Sequence, residues 1–212
     1  MIRRVLVVFA LLAGAGVAQA QIIGRERVFS REPIGWVSLG IGWMQQGAFN
    51  DPETGDGWDF GSAPQWRATL EFPVGRGATF GVAGTIAKVP LIFDGSSCSR
   101  CDADANVSQV MGLFRIGGGS GLHQVIDVQA GITMFSNFRE VDSGTRLGTG
   151  EMSQAFTFGI GYGFGYPLSP RTHVTLGQDW GLIILERQPG TSQRTVQQTS
   201  TRIGIRFGLG DR

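Results

Sequence analysis

The fold of this chain is decided by the stretch Ser153–Tyr166, which reads Ser-Gln-Ala-Phe-Thr-Phe-Gly-Ile-Gly-Tyr-Gly-Phe-Gly-Tyr. From Phe156 onward, large residues occupy every even position, whereas glycine and other small residues occupy the odd positions. Alternation with a period of two is typical of a β-strand. A soluble strand usually carries charge on its wet face, and this stretch carries none. The pattern therefore favours a strand whose large face meets lipid and whose small face meets a crowded barrel interior.

The same alternation recurs in seven further segments, which makes eight predicted strands. These segments cover about residues 34–44, 65–74, 79–90, 109–116, 126–134, 173–184 and 202–209. The connections between the strands alternate between long polar stretches and short turns, as in an outer-membrane barrel with external loops and short periplasmic turns. We therefore predict an all-β fold, an eight-stranded antiparallel up-and-down transmembrane β-barrel over residues 33–212, with both of its ends on the periplasmic side.

The first 20 residues are predicted to be a secretory signal peptide. Arg3 and Arg4 form a basic start, an apolar run covers residues 5–17, and Ala-Gln-Ala at residues 18–20 is a cleavage site. Residues 21–32 are polar and show no periodicity, so we predict a short periplasmic segment before the barrel.

The charge of the chain argues against nucleic acid as a partner. The whole chain has a formal net charge of +1, and removal of the signal peptide with its two arginines leaves −1. A protein that neutralises phosphates needs a basic surplus, which the mature chain lacks. The sequence contains no apolar run that is long enough to predict a helical membrane protein. We also predict no cofactor.

Cys98 and Cys101 are the only cysteines of the chain, and they fall in a predicted loop over residues 94–106. Export favours oxidation, so a local disulfide is the leading interpretation. Free thiols, or metal or redox chemistry, remain the alternatives. A zinc site would need two further ligands, and neither His123 nor His173 is near in sequence. We therefore predict no metal site.

A few long polar side chains lie on the small-residue faces of the strands, where we expect them to fill the narrow interior of the barrel. The predicted lumen ion cluster consists of Arg67, Glu71, Asp127, Asp179, Arg202 and Arg206. If the loop between the last two strands is centred near residue 193, Asp179 faces Arg206 and lies diagonal to Arg202. We hypothesise that these charges plug the lumen and hold the strand register; the alternative is separate hydration of each group.

The last strand carries the pattern Arg202-x-Gly204-x-x-Phe207-x-Leu209, followed by three further residues. It resembles the C-terminal signal by which the outer-membrane assembly machinery recognises its substrates, although no aromatic residue closes the chain. As a whole, the mature chain resembles the small eight-stranded outer-membrane β-barrels of the OmpA/OmpX-like kind. This resemblance implies residence in the outer membrane of a Gram-negative-type bacterium, contact with outer-membrane lipid, and dependence on the assembly machinery.

The expected function is a structural or surface-interaction role through four extracellular loops, whose ligand the sequence does not identify. The alternatives are a soluble exported binding barrel of lipocalin type, a lipid A-modifying barrel enzyme, and a narrow pore. A soluble barrel would need charged outer faces. A catalytic site would need a base near the outer leaflet, whereas His123 and His173 fall at the periplasmic ends of their strands. A lumen of eight strands is only wide enough for side chains. We therefore predict no catalysis.

Overall fold

The computed structural model describes residues 33–50, 55–75, 77–95, 98–147, 154–185 and 194–210, so the predicted signal peptide and the segment 21–32 lie outside the described residues. The described residues form the following strands: β1 Gly35–Gln46, β2 Phe49–Asn50, β3 Gly57–Phe60, β4 Ser62–Gly75, β5 Ala78–Gly95, β6 Cys98–Ile116, β7 His123–Glu140, β8 Gln154–Ser169, β9 Thr172–Leu185 and β10 Arg194–Leu209. Among them, no helix is long and apolar enough to cross a membrane.

Eight of the described strands close into an antiparallel barrel. Strands β4 to β10 pair in chain order, and β1 pairs with both β4 and β10, which closes the sheet on itself. The closure confirms the predicted eight-stranded up-and-down barrel. Short turns join β4 to β5, β6 to β7 and β8 to β9 at one end, which we call the turn end. The other connections, together with β2 and β3, lie at the opposite end, the loop end.

The outer face of the barrel carries a belt of large apolar side chains. On β8, Phe156, Phe158 and Ile160 are 46%, 41% and 48% exposed, whereas the intervening Thr157 is only 2% exposed. Strands β1, β4, β5, β6, β7, β9 and β10 also present exposed large apolar side chains. A continuous apolar surface of this kind is stable against lipid rather than water. The large faces therefore point outward, opposite to their direction in a lipocalin-type barrel.

Strands β5 and β6 extend together past the barrel, which corrects the predicted loop over residues 94–106. The sequence prediction ended one strand at Pro90 and began the next at Gln109, but β5 continues to Gly95 and β6 begins at Cys98. About 9–11 residues of a strand cross a membrane, so much of this 18-residue and 19-residue pair projects beyond it. The prediction was wrong because the aspartates on the outer face of this hairpin are typical of loops, whereas the residues at its inward positions are apolar.

An apolar core, which we call the apolar cap, fills the interior at the loop end. Its larger members are Met44, Trp58, Phe60, Val89, Leu91, Phe93, Val107, Phe135, Phe138, Leu147, Ile183, Leu185 and Val196. Strand β3 pairs with β5 and places Trp58 against Phe93, with ring centroids 4.4 Å apart. Trp58 also packs on Phe138 at 5.0 Å. The long polar stretches predicted before residue 65 and after residue 134 therefore contain strand and core residues in their described parts, because their few large side chains have an interior to fill.

Candidate functional site

Below the apolar cap, seven charged side chains meet in the lumen. This lumen cluster consists of Arg67, Glu71, Arg115, Asp127, Asp179, Arg202 and Arg206. Its members come from β4, β6, β7, β9 and β10, and each occupies an inward position of its strand. The cluster is built around small residues: a Cβ added to Gly161 on β8 would collide with the Oδ1 atom of Asp179. The glycine face that defines the opening sequence stretch thus makes room for charge.

Arg115 lies at the centre of the cluster, although it is not among the six members predicted from the sequence. Its Nη1 donates to Oε1 of Glu71 at 2.7 Å, while its Nε and Nη2 donate to Oδ1 and Oδ2 of Asp127 at 2.7 and 2.9 Å. Arg115 is 3% exposed, and both carboxylates are fully buried. The two-point contact with Asp127 is the strong arrangement for an arginine and a carboxylate. The missed signal was that Arg115 lies on the inward face of its strand and opposite Asp127 across a short hairpin.

Glu71 accepts hydrogen bonds from five side chains, the longest of them from Oγ of Ser38 at 3.4 Å. Besides Arg115, Nη2 of Arg206 donates to its Oε2 at 2.7 Å. The hydroxyls of Thr69 and Thr79 donate to Oε1 and Oε2, each at 2.8 Å. A buried carboxylate is tolerated when its lone pairs are satisfied in this way. Through this one side chain, β4 is therefore joined to four other strands, β1, β5, β6 and β10.

Asp179 pairs with Arg202, not with Arg206 as the predicted register had it. Nε and Nη2 of Arg202 donate to Oδ2 and Oδ1 of Asp179 at 2.8 and 3.1 Å, and Nη2 also contacts Oδ2 of Asp127. Asp179 lies opposite Ser200, and Arg206 lies opposite His173. Partner numbers of β9 and β10 sum to 379, whereas a loop centred near residue 193 would give a sum of about 385, so the two strands are shifted from the predicted register. Both Asp179 and Arg202 occupy inward positions, and their contact is diagonal across the strand pair.

Arg67 reaches the cluster through an amide. Its Nη2 donates to Oε1 of Gln129 at 2.7 Å, and Nε2 of Gln129 donates to Oδ1 of Asp179 at 3.3 Å. Within the described part of the chain, the buried Nε of Arg67 has no hydrogen-bond partner. Arg67 is thus held in the lumen without the direct carboxylate contact that the other three arginines have.

A layer of uncharged polar side chains separates the lumen cluster from the apolar cap. Gln109 donates to Thr133 at 2.9 Å and to Gln198 at 2.8 Å, and Gln65 contacts Ser200. Thr133 and Thr157 are also joined by a short hydroxyl contact at 2.5 Å. From the turn end to the loop end, the interior therefore changes from charged to polar to apolar.

His123 and His173 meet at the turn end. Their ring centroids are 5.9 Å apart, and the His173 ring is 4.8 Å from that of Trp36. The Arg206 guanidinium lies 4.3 Å from the Trp36 ring centroid. Nδ1 of His123 is 2.8 Å from the carbonyl oxygen of Gly121. Both imidazoles are thus part of the packing around the mouth of the barrel.

Cys98 and Cys101 are joined as a disulfide at the start of β6. Arg100 between them has a positive φ of 52°, which allows the tight bend of the bridge. One oxygen of Glu140 and the two sulfur atoms lie within 4.8 Å of one another. Metal binding by cysteine requires thiolates, which sulfurs bonded to each other do not offer.

The four residues of the predicted assembly signal divide between the two faces of β10. Arg202 and Gly204 lie on the inward face, whereas Phe207 and Leu209 point outward and are each 43% exposed. Gly204 lies opposite Gly40 of β1, at the seam where the last strand closes on the first.

Two solved structures of outer-membrane proteins resemble this molecule. Neisserial surface protein A matches with a TM-score of 0.53 and 13% identity, over 82% of this chain and 97% of that chain. The outer membrane protein OprG from Pseudomonas aeruginosa matches with a TM-score of 0.56 and 12% identity, over 83% and 96%. The chain has the fold of the small outer-membrane β-barrels. No protein-family model and no curated protein matches the sequence.

The likeness to these barrels is one of fold, and the surface chemistry agrees with it. A membrane protein built from strands needs an outward apolar belt, because this surface meets lipid. It also needs a closed sheet, because lipid cannot hydrogen-bond to an open sheet edge. The fold and the belt together locate this small barrel in an outer membrane.

Proposed function

We propose that this protein is a closed outer-membrane barrel with a structural or surface-interaction role, carried by its external face and without catalysis. The observation that carries the proposal is the double obstruction of the interior. The lumen cluster blocks one level, where Glu71, Arg115 and Asp127 are at most 3% exposed, and the apolar cap blocks another, where Met44 and Val89 are fully buried. A solute would have to displace both.

The loop end, which we assign to the outside of the cell, suits a binding surface. The apolar cap gives the projecting part of β5, β6 and β7 a packed interior, and rigid elements hold a contact surface better than free loops do. The outer side of the projection is polar: Lys88 and Asp104 form an ion pair at 2.6 Å on it. We propose that this surface and the external connections meet an extracellular ligand. The name of Neisserial surface protein A describes a protein displayed in the same way.

The absence of catalysis is also a proposal. The two histidines lie together at the turn end, which we assign to the periplasm, against Trp36 and the backbone of Gly121. A lipid A-modifying enzyme would need its base at the opposite leaflet. The lumen cluster holds acids and bases, but they are engaged with one another below the cap.

We also propose that Arg202, Gly204, Phe207 and Leu209 act as the assembly signal. Their support is position: they lie on β10, which forms the closing seam with β1. Until that seam closes, the edge of β10 is free to pair with another strand.

Planar-bilayer recording tests the closed lumen. The purified wild-type barrel should add no steady conductance to the bare membrane. Discrete ionic steps from the wild-type protein would contradict the closed-barrel proposal and favour a narrow pore.

Thiol labelling tests the orientation. In a background with both native cysteines replaced by serine, we compare Thr145→Cys at the loop end with Ser120→Cys at the turn end; both positions are exposed. A membrane-impermeant maleimide should label the first on intact cells and the second only after permeabilisation. The reverse pattern would place the apolar cap in the periplasm.

A further inference from the structure

The lumen cluster contains more positive than negative charge. Among the described residues, four arginines and three carboxylates meet in it, which leaves one positive charge in excess. The cations are Arg67, Arg115, Arg202 and Arg206, and the anions are Glu71, Asp127 and Asp179. An uncompensated charge in a low-dielectric interior is strongly unfavourable. The arrangement therefore calls for one further negative charge.

The excess charge is located at Arg67. Arg115 and Arg202 each contact two carboxylates, and Arg206 contacts one. Arg67 has the amide oxygen of Gln129 as its partner at 2.7 Å, and its buried Nε is unpartnered within the described residues. An amide oxygen carries only a partial charge, so it does not neutralise a guanidinium.

A small cavity lies beside Arg67. Its volume is about 20 Å³, and its wall includes Arg67, Arg115, Arg202, Ser38, Thr69 and Thr175. This is enough for a single water-sized occupant. Arg202 uses Nε and Nη2 for its carboxylates, which leaves its Nη1 for another acceptor. The hydroxyl of Thr175 makes only a long contact of 3.4 Å with the carbonyl oxygen of Gly204, so it can turn toward an occupant.

We propose that this cavity binds one small monovalent anion of the halide class, which neutralises Arg67 and completes the polar plug of the barrel. Three arginines in the lining create a positive potential, and the size of the cavity excludes phosphate, sulfate and carboxylic acids. A halide carries no proton and accepts hydrogen bonds from any direction. It therefore fits a site in which donors from several strands converge. The site would hold its anion as a structural counter-ion.

Bromide scattering tests the site directly. Crystals of the wild-type barrel grown in sodium bromide should show an anomalous peak in contact with the guanidinium of Arg67. Crystals of Arg67→Gln under the same conditions should lack it. An absent peak in the wild-type crystals, or a peak that persists in the variant, would overturn the proposal.

Unfolding in solution tests the same site without crystals. The urea midpoint of the wild-type barrel in detergent is measured at constant ionic strength while chloride replaces gluconate, which is too large for the cavity. The midpoint should rise with chloride and then level off. Equal midpoints in the two salts would overturn the proposal.

Three variants separate the site from general salt effects. Arg67→Gln removes the excess charge, and Gln129→Glu supplies a carboxylate where the amide oxygen now lies 2.7 Å from Arg67. Either change should abolish the chloride-dependent shift. Arg139→Gln, at an exposed position of the loop end, should retain it. A shift of wild-type size in either lumen variant would show that chloride acts elsewhere.

Discussion

Nη1 of Arg115 on β6 donates to Oε1 of Glu71 on β4 at 2.7 Å, although β5 separates these two strands in the barrel wall. The contact therefore spans β5 on the lumen side instead of joining two paired strands. The contact between Arg206 on β10 and Glu71 spans an intervening strand in the same way, because β1 lies between their strands. Such contacts link strands whose backbones share no hydrogen bonds.

Replacing Arg115 should destabilise the barrel strongly. Arg115→Ala leaves the buried carboxylates of Glu71 and Asp127 without their main cation, and loss of one partner of a buried ion pair costs about 3–5 kcal/mol. The measurement is the free energy of unfolding by urea in detergent or vesicles. Arg139→Ala, an exposed arginine, is the matched control and should change stability by less than about 0.5 kcal/mol. Equal losses for the two variants would show that the central pairing of Arg115 is dispensable.

Asp179 should be coupled to Arg202 more strongly than to Arg206. Direct partners in one network show coupling energies of about 0.5–3 kcal/mol, and of these two arginines Arg202 contacts Asp179 whereas Arg206 contacts Glu71. Double-mutant cycles with alanine at each pair of positions, followed by urea unfolding, measure both couplings. A larger coupling with Arg206 would support the predicted register, in which Asp179 faces Arg206.

An arginine in the apolar belt should impair membrane insertion. Ile160 is 48% exposed on the outer face of β8, and arginine at the bilayer midplane of a barrel costs about 2–4 kcal/mol. Folding yield into lipid vesicles should fall for Ile160→Arg and stay at the wild-type level for Thr145→Arg, at an exposed position of the loop end. Equal yields would argue that the large face of β8 does not meet lipid.

Truncating Trp58 in the apolar cap should destabilise the projecting part of β5 and β6 while the barrel stays folded. Trp58 is 3% exposed and packs on Phe93 and Phe138; truncation of a buried tryptophan to alanine costs about 3–5 kcal/mol of packing. Trp58→Ala should therefore become sensitive to protease in the projecting part of β5 and β6. Trp66→Ala removes a tryptophan that is 66% exposed on the outer face and should leave this region resistant. Resistance of both variants would mean that the cap does not depend on Trp58.

Much of the barrel wall was predictable from sequence, whereas its loop end was not. Phe156, Phe158 and Ile160 on the outer face and Arg67 and Asp179 on the inner face lie where the alternation placed them. Residues 94–106 were misjudged because the charges on their outer side resemble those of a loop. Only the interior packing of Val107 and its neighbours shows them to be strand.

The sequence by itself determined which side of each strand faces lipid, because side chains alternate across a strand whatever its neighbours are. Only the tertiary structure decided which charges meet. The Arg115–Glu71 contact requires two strands that are not paired to meet on the lumen side of β5, and the pairing of Asp179 with Arg202 depends on the register between β9 and β10. Neither contact is specified by local sequence. The Arg115–Glu71 contact depends on the curvature of the sheet, and the Asp179–Arg202 contact depends on a strand register that the alternation of residues does not specify.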